Sequence, residues 1–173
     1  MTRRTAGNWW RLRFPSLFAA LILMIAAFGQ TPKPGAQQPI PFSHKQHASA
    51  SLKCVDCHAG ADTRDQAGLP AAQKCMQCHV SIKADSPEVQ KIRDAAKTGE
   101  KIPWVRLYKV PDFVFFSHAN HRKAGVECVT CHGPVAERTV LTKELPTNMK
   151  FCVDCHKQKN ASTSCALCHQ LGQ

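Results

Sequence analysis

Apolar residues along the chain form short runs that are separated by long polar stretches. One of these patterns predicts a helix over residues 88–98, because four apolar side chains recur there at helical spacing: Val89, Ile92, Ala95 and Ala96. Ser86 and Pro87 are typical of the start of a helix and Gly99 of its end. One face of this helix is therefore expected to pack inward as core.

Residues 102–116 show a different pattern, rich in β-branched and aromatic side chains. Pro103 and Pro111 interrupt this stretch, which favours extended chain over a paired strand. Trp104 and Tyr108 are predicted to be packing residues.

Residues 1–29 have the features of an export signal. Four arginines and no acidic residue precede a run of uncharged, mostly apolar residues, and Ala27 and Gly29 suit a signal peptidase cut before Gln30. The alternative is an uncleaved membrane anchor, although the apolar run is shorter than the roughly 20 residues of a spanning helix. Both readings place the rest of the chain outside the cytoplasm, in the periplasm or on the outer face of the cytoplasmic membrane.

The pattern Cys-x-x-Cys-His occurs five times and uses all ten cysteines of the chain. Two thiols three positions apart can each add to a vinyl group of haem, and the following histidine can bind the iron as proximal ligand. Zinc sites and redox disulfides also use paired cysteines, but neither requires that histidine. The motif predicts five covalently attached haem c groups, held by Cys54, Cys57, Cys75, Cys78, Cys128, Cys131, Cys152, Cys155, Cys165 and Cys168, with the proximal ligands His58, His79, His132, His156 and His169.

A second repeat supplies candidates for the distal ligands. The phrase Phe-Ser-His-x-x-His occurs at residues 42–47 and 116–121, each time seven residues before a haem motif. Histidines three apart lie on one side of a helical turn, so each phrase can serve two haems. The alternative is that these histidines are surface or capping residues. The candidates are the four histidines outside the haem motifs: His44, His47, His118 and His121.

This count leaves one haem without a distal histidine. Among the methionines only Met149, three residues before Cys152, is placed for that role. A thioether ligand would give that haem the highest potential of the five. The alternative is that Met149 only packs against a porphyrin, which leaves one haem open to small ligands.

The composition offers little for a conventional core, since only 7% of the 173 residues are aromatic. The haems are expected to form much of the interior, and the apo chain is expected to be unfolded. We predict a mostly irregular, haem-cored fold with short α-helices around the motifs and no significant sheet. The net charge of +11 balances haem propionates in this reading, and no nucleic-acid partner is predicted.

The order of these features divides the chain into five parts. The predicted parts are a signal peptide or anchor at 1–29, a mobile linker at 30–39, a dihaem module at 40–80, a connecting helix and extended segment at 81–113, and a trihaem module at 114–173.

The phrase Phe-Ser-His-x-x-His ahead of Cys-x-x-Cys-His resembles the class III multihaem cytochromes c. Residues 116–169 are similar to a whole trihaem member, including the nine-position step from His156 to Cys165. Residues 42–79 resemble the same pattern with two haems. The resemblance implies which distal ligand serves which haem: His44 the haem at Cys54 and Cys57, His47 that at Cys75 and Cys78, His118 that at Cys128 and Cys131, His121 that at Cys152 and Cys155, and Met149, where the family has a histidine, that at Cys165 and Cys168.

Residues 110–118, the run from Cys131 to Val135 and the spacing of Met149 from Cys152 are also similar to the pentahaem subunit of alternative complex III, a quinol-oxidising respiratory assembly. That subunit is membrane-tethered, which favours the anchor reading and implies a membrane complex as redox partner.

Three functions fit these features. The first is an electron carrier with a row of low-spin haems, which is not an enzyme by itself. The second is a reductase for a small oxyanion such as nitrite at one open haem. The third is an assembly component, either a subunit of a quinol-oxidising complex or a self-assembling cytochrome filament.

Overall fold

The computed structural model describes residues 35–169, which belong to one compact unit. The predicted export segment or anchor, the first part of the linker and the last four residues lie outside the described residues. In chain order the α-helices are α1 His44–Ser49, α2 Cys54–Cys57, α3 Ala72–His79, α4 Pro87–Thr98, α5 His118–Lys123, α6 Cys128–His132, α7 Met149–Gln158 and α8 Cys165–Cys168, with a 3-10 helix at Val135–Glu137.

The helices are short, and irregular chain joins them. Across residues 35–169 the strand-like pairing is limited to an isolated antiparallel bridge between Val114 and His169. The prediction of a mostly irregular fold with short helices and no significant sheet is confirmed.

Helix α4 has the ends that the sequence predicts. Ser86 is its N-cap residue, Pro87 is its first residue, and Gly99 ends it with a left-handed backbone conformation (φ 74°) that residues with a Cβ rarely adopt. Val89 and Ile92 are buried, as expected for the inward face. The Ser86 side chain makes no capping hydrogen bond, so this end relies on proline and on packing.

The apolar core between α3 and α4 is small. Ile40, Ala72 and Ile92 are buried together, and Trp104 packs against them with parts of both helices. The side-chain amide of Gln73 in α3 donates to the Ala96 carbonyl of α4 over 2.9 Å. This cluster is too small to stabilise a domain of this length by itself, which is consistent with a haem-filled interior.

The described end of the predicted linker is attached to the folded unit. The Gln38 side chain donates to the Val105 carbonyl and accepts from its amide, both over 2.9 Å. Ile40 is buried at 5% exposure. Gln38 is therefore hydrogen-bonded to the connecting segment, and the mobility of the linker as a whole stays a prediction.

The two repeated phrases dock onto each other's haem loops. In α1, the Lys45 amide donates to the Arg138 carbonyl, six residues after His132, over 2.9 Å. In α5, the Ala119 amide donates to the Arg64 carbonyl, six residues after His58, over 3.0 Å. The contact is reciprocal, as in a twofold interface between identical subunits.

None of the helices within residues 35–169 has both the length and the apolar content that crossing a bilayer requires.

Candidate haem sites

The two cysteines of each Cys-x-x-Cys-His motif lie on a single short helix, and in the first and fifth motifs the histidine follows as the C-cap residue. In α2, α6 and α8 the helix begins at the first cysteine, whereas in α3 and α7 the motif follows one added helical turn. All ten cysteines are free thiols, and each is exposed or half-buried. The two thiols of every motif are therefore accessible on one turn, as covalent attachment to haem requires.

The thiols of different motifs lie close to one another. Burial raises the pKa of Cys128, and the neighbouring Cys54 raises it further. Burial likewise raises the pKa of Cys75, with Cys57 as the next cause. The first haem motif is thus flanked by the second on one side and by the third on the other.

Cysteines of the third, fourth and fifth motifs also lie close to one another. Burial raises the pKa of Cys131, followed by the effect of nearby Cys155. Burial also raises the pKa of Cys152, followed by the effect of Cys168. In space the motifs therefore follow one another in the order second, first, third, fourth, fifth.

The Phe-Ser-His-x-x-His phrase forms a capped helical turn in both copies. Ser43 accepts a hydrogen bond from the Gln46 amide, and Ser117 accepts one from the Asn120 amide, each over 3.2 Å. A serine in this position satisfies an amide that the first turn leaves without a partner. The phrase thus begins a helix at its first histidine.

The phenylalanine of each phrase stacks on the second histidine. The ring centroids of Phe42 and His47 lie 4.3 Å apart, and those of Phe116 and His121 lie 4.7 Å apart. The roles of the serine and the phenylalanine were missed by the sequence analysis, although serine before a helical turn is a recognisable capping signal.

Three distal candidates face a proximal candidate across a gap. The ring centroids are 6.3 Å apart for His118 and His132, which are nearly parallel at 5°. The other two gaps are 6.1 Å from His47 to His79 and 6.0 Å from His121 to His156. These separations lie in the upper part of the range for aromatic pairs. They also leave room for one iron between the two rings, with each imidazole nitrogen at about 2.0–2.1 Å, as in zinc–histidine bonds.

These pairs match three of the four histidine pairs that the family resemblance implies. The fourth implied pair is His44 with His58, and the two residues lie near each other. Burial first, then His58 and His47, lower the pKa of His44 to about 4. The His44 Nδ1 atom is buried without a hydrogen-bond partner.

Backbone carbonyls fix the tautomer of six histidines. In each of these rings Nδ1 lies 2.7–2.9 Å from a carbonyl oxygen, which can only accept. Nδ1 must therefore carry the proton, and Nε2 keeps a free lone pair for a metal. The histidines are His47, His58, His79, His118, His121 and His156.

His132 is held in a different way. Its ring packs edge-on against Tyr108 at 4.6 Å, and the Tyr108 hydroxyl donates to its backbone carbonyl over 3.3 Å. Burial, followed by the nearby His118 and His58, lowers the pKa of His132. Both effects favour the neutral imidazole that binds metals. Tyr108 is a packing residue, as predicted.

The fifth site has no distal histidine beside it. His169 bridges to Val114, the Phe115 amide donates to the Cys168 carbonyl over 2.8 Å, and the Phe113 ring lies 6.0 Å from the His169 ring. Met149 begins α7 and is 68% exposed. The ligation of the fifth haem by Met149 remains a prediction.

The donor set fits haem c. Every motif presents two accessible thiols and a histidine, and three imidazole pairs have ring centroids 6.0–6.3 Å apart. The thiols and proximal histidines would hold the haems, and the histidines of α1 and α5 would serve as distal ligands.

Comparison with known proteins agrees with this donor set. A family described as "Cytochrome c7 and related cytochrome c" matches residues 114–170, and the "Class III cytochrome C family" matches residues 24–102.

Two characterised relatives have the same character. The "Menaquinone reductase, multiheme cytochrome c subunit" of Nitratidesulfovibrio vulgaris is 31% identical over 185 residues, covering 91% of this chain and 88% of the relative. "Cytochrome c3" of Maridesulfovibrio salexigens is 31% identical over 123 residues, covering 70% of this chain and 80% of the relative. The chain therefore belongs to the class III cytochromes c, multihaem electron-transfer proteins with covalently bound haem c.

Proposed function

We propose that the protein carries electrons through five haem c groups along a single path. The observation that carries the proposal is the set of facing imidazoles at 6.0–6.3 Å whose Nδ1 atoms donate to carbonyls. An iron with two imidazole ligands has no free position for a substrate, whereas it exchanges single electrons readily. Such sites favour outer-sphere transfer over binding chemistry.

The neighbour relation of the thiols supports one route through the molecule. It runs from the motif at Cys75 to that at Cys54, then to the motifs at Cys128, Cys152 and Cys165. Helix α1 spans the first step, since it carries both His44 and His47, and α5 spans the third in the same way. The motifs at Cys75 and Cys165 are therefore the proposed entry and exit points.

The number of haems and their ligation can be tested on the mature protein. We expect an intact mass that exceeds the polypeptide by five haem groups. We also expect no carbon monoxide binding by the ferrous protein, because every iron has two protein ligands. A smaller mass excess would contradict five haems. Carbon monoxide binding by several haems would contradict an electron carrier whose irons all have two protein ligands.

A second candidate function is reduction of a small oxyanion at the fifth site. It is favoured by the Phe113 ring, which lies 6.0 Å from His169, at the separation of the imidazole pairs, and has no ligand atom. Carbon monoxide binding by one haem, lost in Cys165→Ser with Cys168→Ser, would support this function. Binding by no haem would exclude it.

We further propose that the protein works outside the cytoplasm and exchanges electrons with a quinone-linked membrane complex. The name of the N. vulgaris relative, a menaquinone reductase subunit, and the export features of residues 1–29 support this. A tagged chain solubilised with detergent should co-purify with membrane partners, and the N-terminus of the mature protein shows whether the segment is cleaved. A chain found alone and soluble after cell fractionation would contradict a membrane complex.

A further inference from the structure

Residues 42–64 and 116–138 are related by a shift of 74 positions, which aligns His44 with His118 and His58 with His132. Under this shift the hydrogen bond from Lys45 to Arg138 is the counterpart of that from Ala119 to Arg64. The first and third haem motifs, whose cysteines Cys54 and Cys128 are neighbours, therefore meet across a local twofold axis.

One side of this axis carries an ion pair that the other side lacks. Arg122 of α5 bonds Asp62, in the loop after His58, through Nε over 2.9 Å. The counterparts of these two residues are Ala48 and Ala136. The ion pair thus joins the loop after the first motif to α5. Within residues 35–169, no equivalent ion pair joins the loop after the third motif to α1.

The two distal histidines at these sites, His118 and His44, also differ in their hydrogen bonds. The Asp65 carbonyl, in the loop after the first motif, accepts from His118 Nδ1 over 2.8 Å and also from the His118 amide over 3.1 Å. The counterpart of His118 is His44, whose buried Nδ1 has no hydrogen-bond partner. The backbone hydrogen bonds of Lys45 and Ala119 are present on both sides. Only the side with the ion pair also has a hydrogen bond to the Nδ1 atom of the distal histidine.

We propose that the Asp62–Arg122 ion pair is a positioning device through which the first module orients the distal imidazole of the third haem site. The pair holds the Asp65 carbonyl on His118 Nδ1 and keeps the ring nearly parallel to His132. The inference rests on the proposed function, since it takes His118 as a ligand.

The proposal implies that the ion pair lowers the potential of the haem at Cys128 and Cys131. A histidine that donates from Nδ1 is a stronger base toward its metal, and a stronger donor stabilises the ferric state. Each central site has one such histidine, His58 on the proximal side of the first and His118 on the distal side of the third. Without the ion pair, the third site should lose this effect and its potential should rise.

The test removes the ion pair without changing the net charge. In the mature holoprotein, Asp62→Asn with Arg122→Gln should shift the electron paramagnetic resonance signal of one ferric haem, because that signal depends on the angle between the ligand rings. The potential of the same haem should shift upward. Asp85→Asn, at an exposed acidic residue away from this contact, should change neither. Since a partly exposed pair contributes little to stability, the variant should fold.

An unchanged signal and potential in the double variant would overturn the inference. If that variant does not mature, Ala48→Arg with Ala136→Asp builds the pair on the opposite side. A downward shift at the haem of Cys54 and Cys57 then supports the inference, and an unchanged potential overturns it. Failure of the proposed function is distinguishable, because in that case His118→Ala would also leave the spectrum unchanged.

Discussion

A histidine offers Nε2 to a metal only when its proton is on Nδ1, and here main-chain carbonyls impose that state. For His47 and His121 the carbonyl belongs to the serine four positions earlier, so one local turn both caps the helix and sets the tautomer. For His118 the carbonyl is 53 positions away, in the other module. Ligand chemistry at the scale of single residues is therefore partly local and partly inherited from the fold.

Met149 gives a prediction at the same scale. If its thioether binds the haem at Cys165 and Cys168, Met149→His should lower the potential of that haem, because imidazole stabilises ferric iron better than a thioether. The weak red charge-transfer band of methionine-ligated ferric haem should disappear. Redox titration and the ferric spectrum measure both effects.

Met149→Leu is the matched control, since leucine fills a similar volume but cannot bind iron. It should open one haem to carbon monoxide. A titration curve that is the same in the native protein and in Met149→His would show that Met149 only packs.

At the scale of elements, the two ligand-bearing turns depend on their caps. Helices α1 and α5 have six residues each, which is too short to be stable in isolation. The serine cap and the phenylalanine ring that stacks on the second histidine hold each turn in place. The repeated phrase is thus a complete structural unit rather than a pair of histidines.

Ser117→Ala should therefore destabilise the protein by about 1 kcal/mol, the usual cost of losing a side-chain cap. The thermal midpoint of the holoprotein measures this loss. Ser86→Ala is the control, because Ser86 is also an N-cap residue but its side chain makes no capping hydrogen bond. Equal losses in both variants would contradict the role of the Ser117 hydroxyl.

At the scale of the whole molecule, the protein side chains leave the interior incomplete. Large apolar residues including Val80, Val129 and Leu167 are at least half exposed within the described part of the chain. All three lie inside or next to a haem motif. Covalent haem beside them would remove this apolar surface from water, which is the main favourable contribution to folding.

Removal of one haem should therefore cost more where a motif joins the protein core. Cys75 and Met76 pack against the cluster of Ile40, Ala72 and Ile92, so Cys75→Ser with Cys78→Ser should lower the thermal midpoint strongly. Cys165→Ser with Cys168→Ser, at the end of the described chain, should lower it less. The reverse order would show that the small cluster does not organise the fold.

The local chemistry of this protein could be read from its sequence. Five Cys-x-x-Cys-His motifs predict the attachment sites, and the ends of α4 follow from Pro87 and Gly99, because these signals act within one or two turns. The irregular fold with short helices was also predictable, since short apolar runs cannot form a large core.

Only the tertiary structure decided how the motifs are arranged. The contact of Asp65 with His118 and the ion pair of Asp62 with Arg122 join residues that are more than fifty positions apart. The same is true of the neighbouring cysteines Cys54 and Cys128. The sequence contains the repeat, but each copy looks equally suited to its role in isolation. The two copies differ because each packs against a different loop. The packing of the whole chain decides which loop that is.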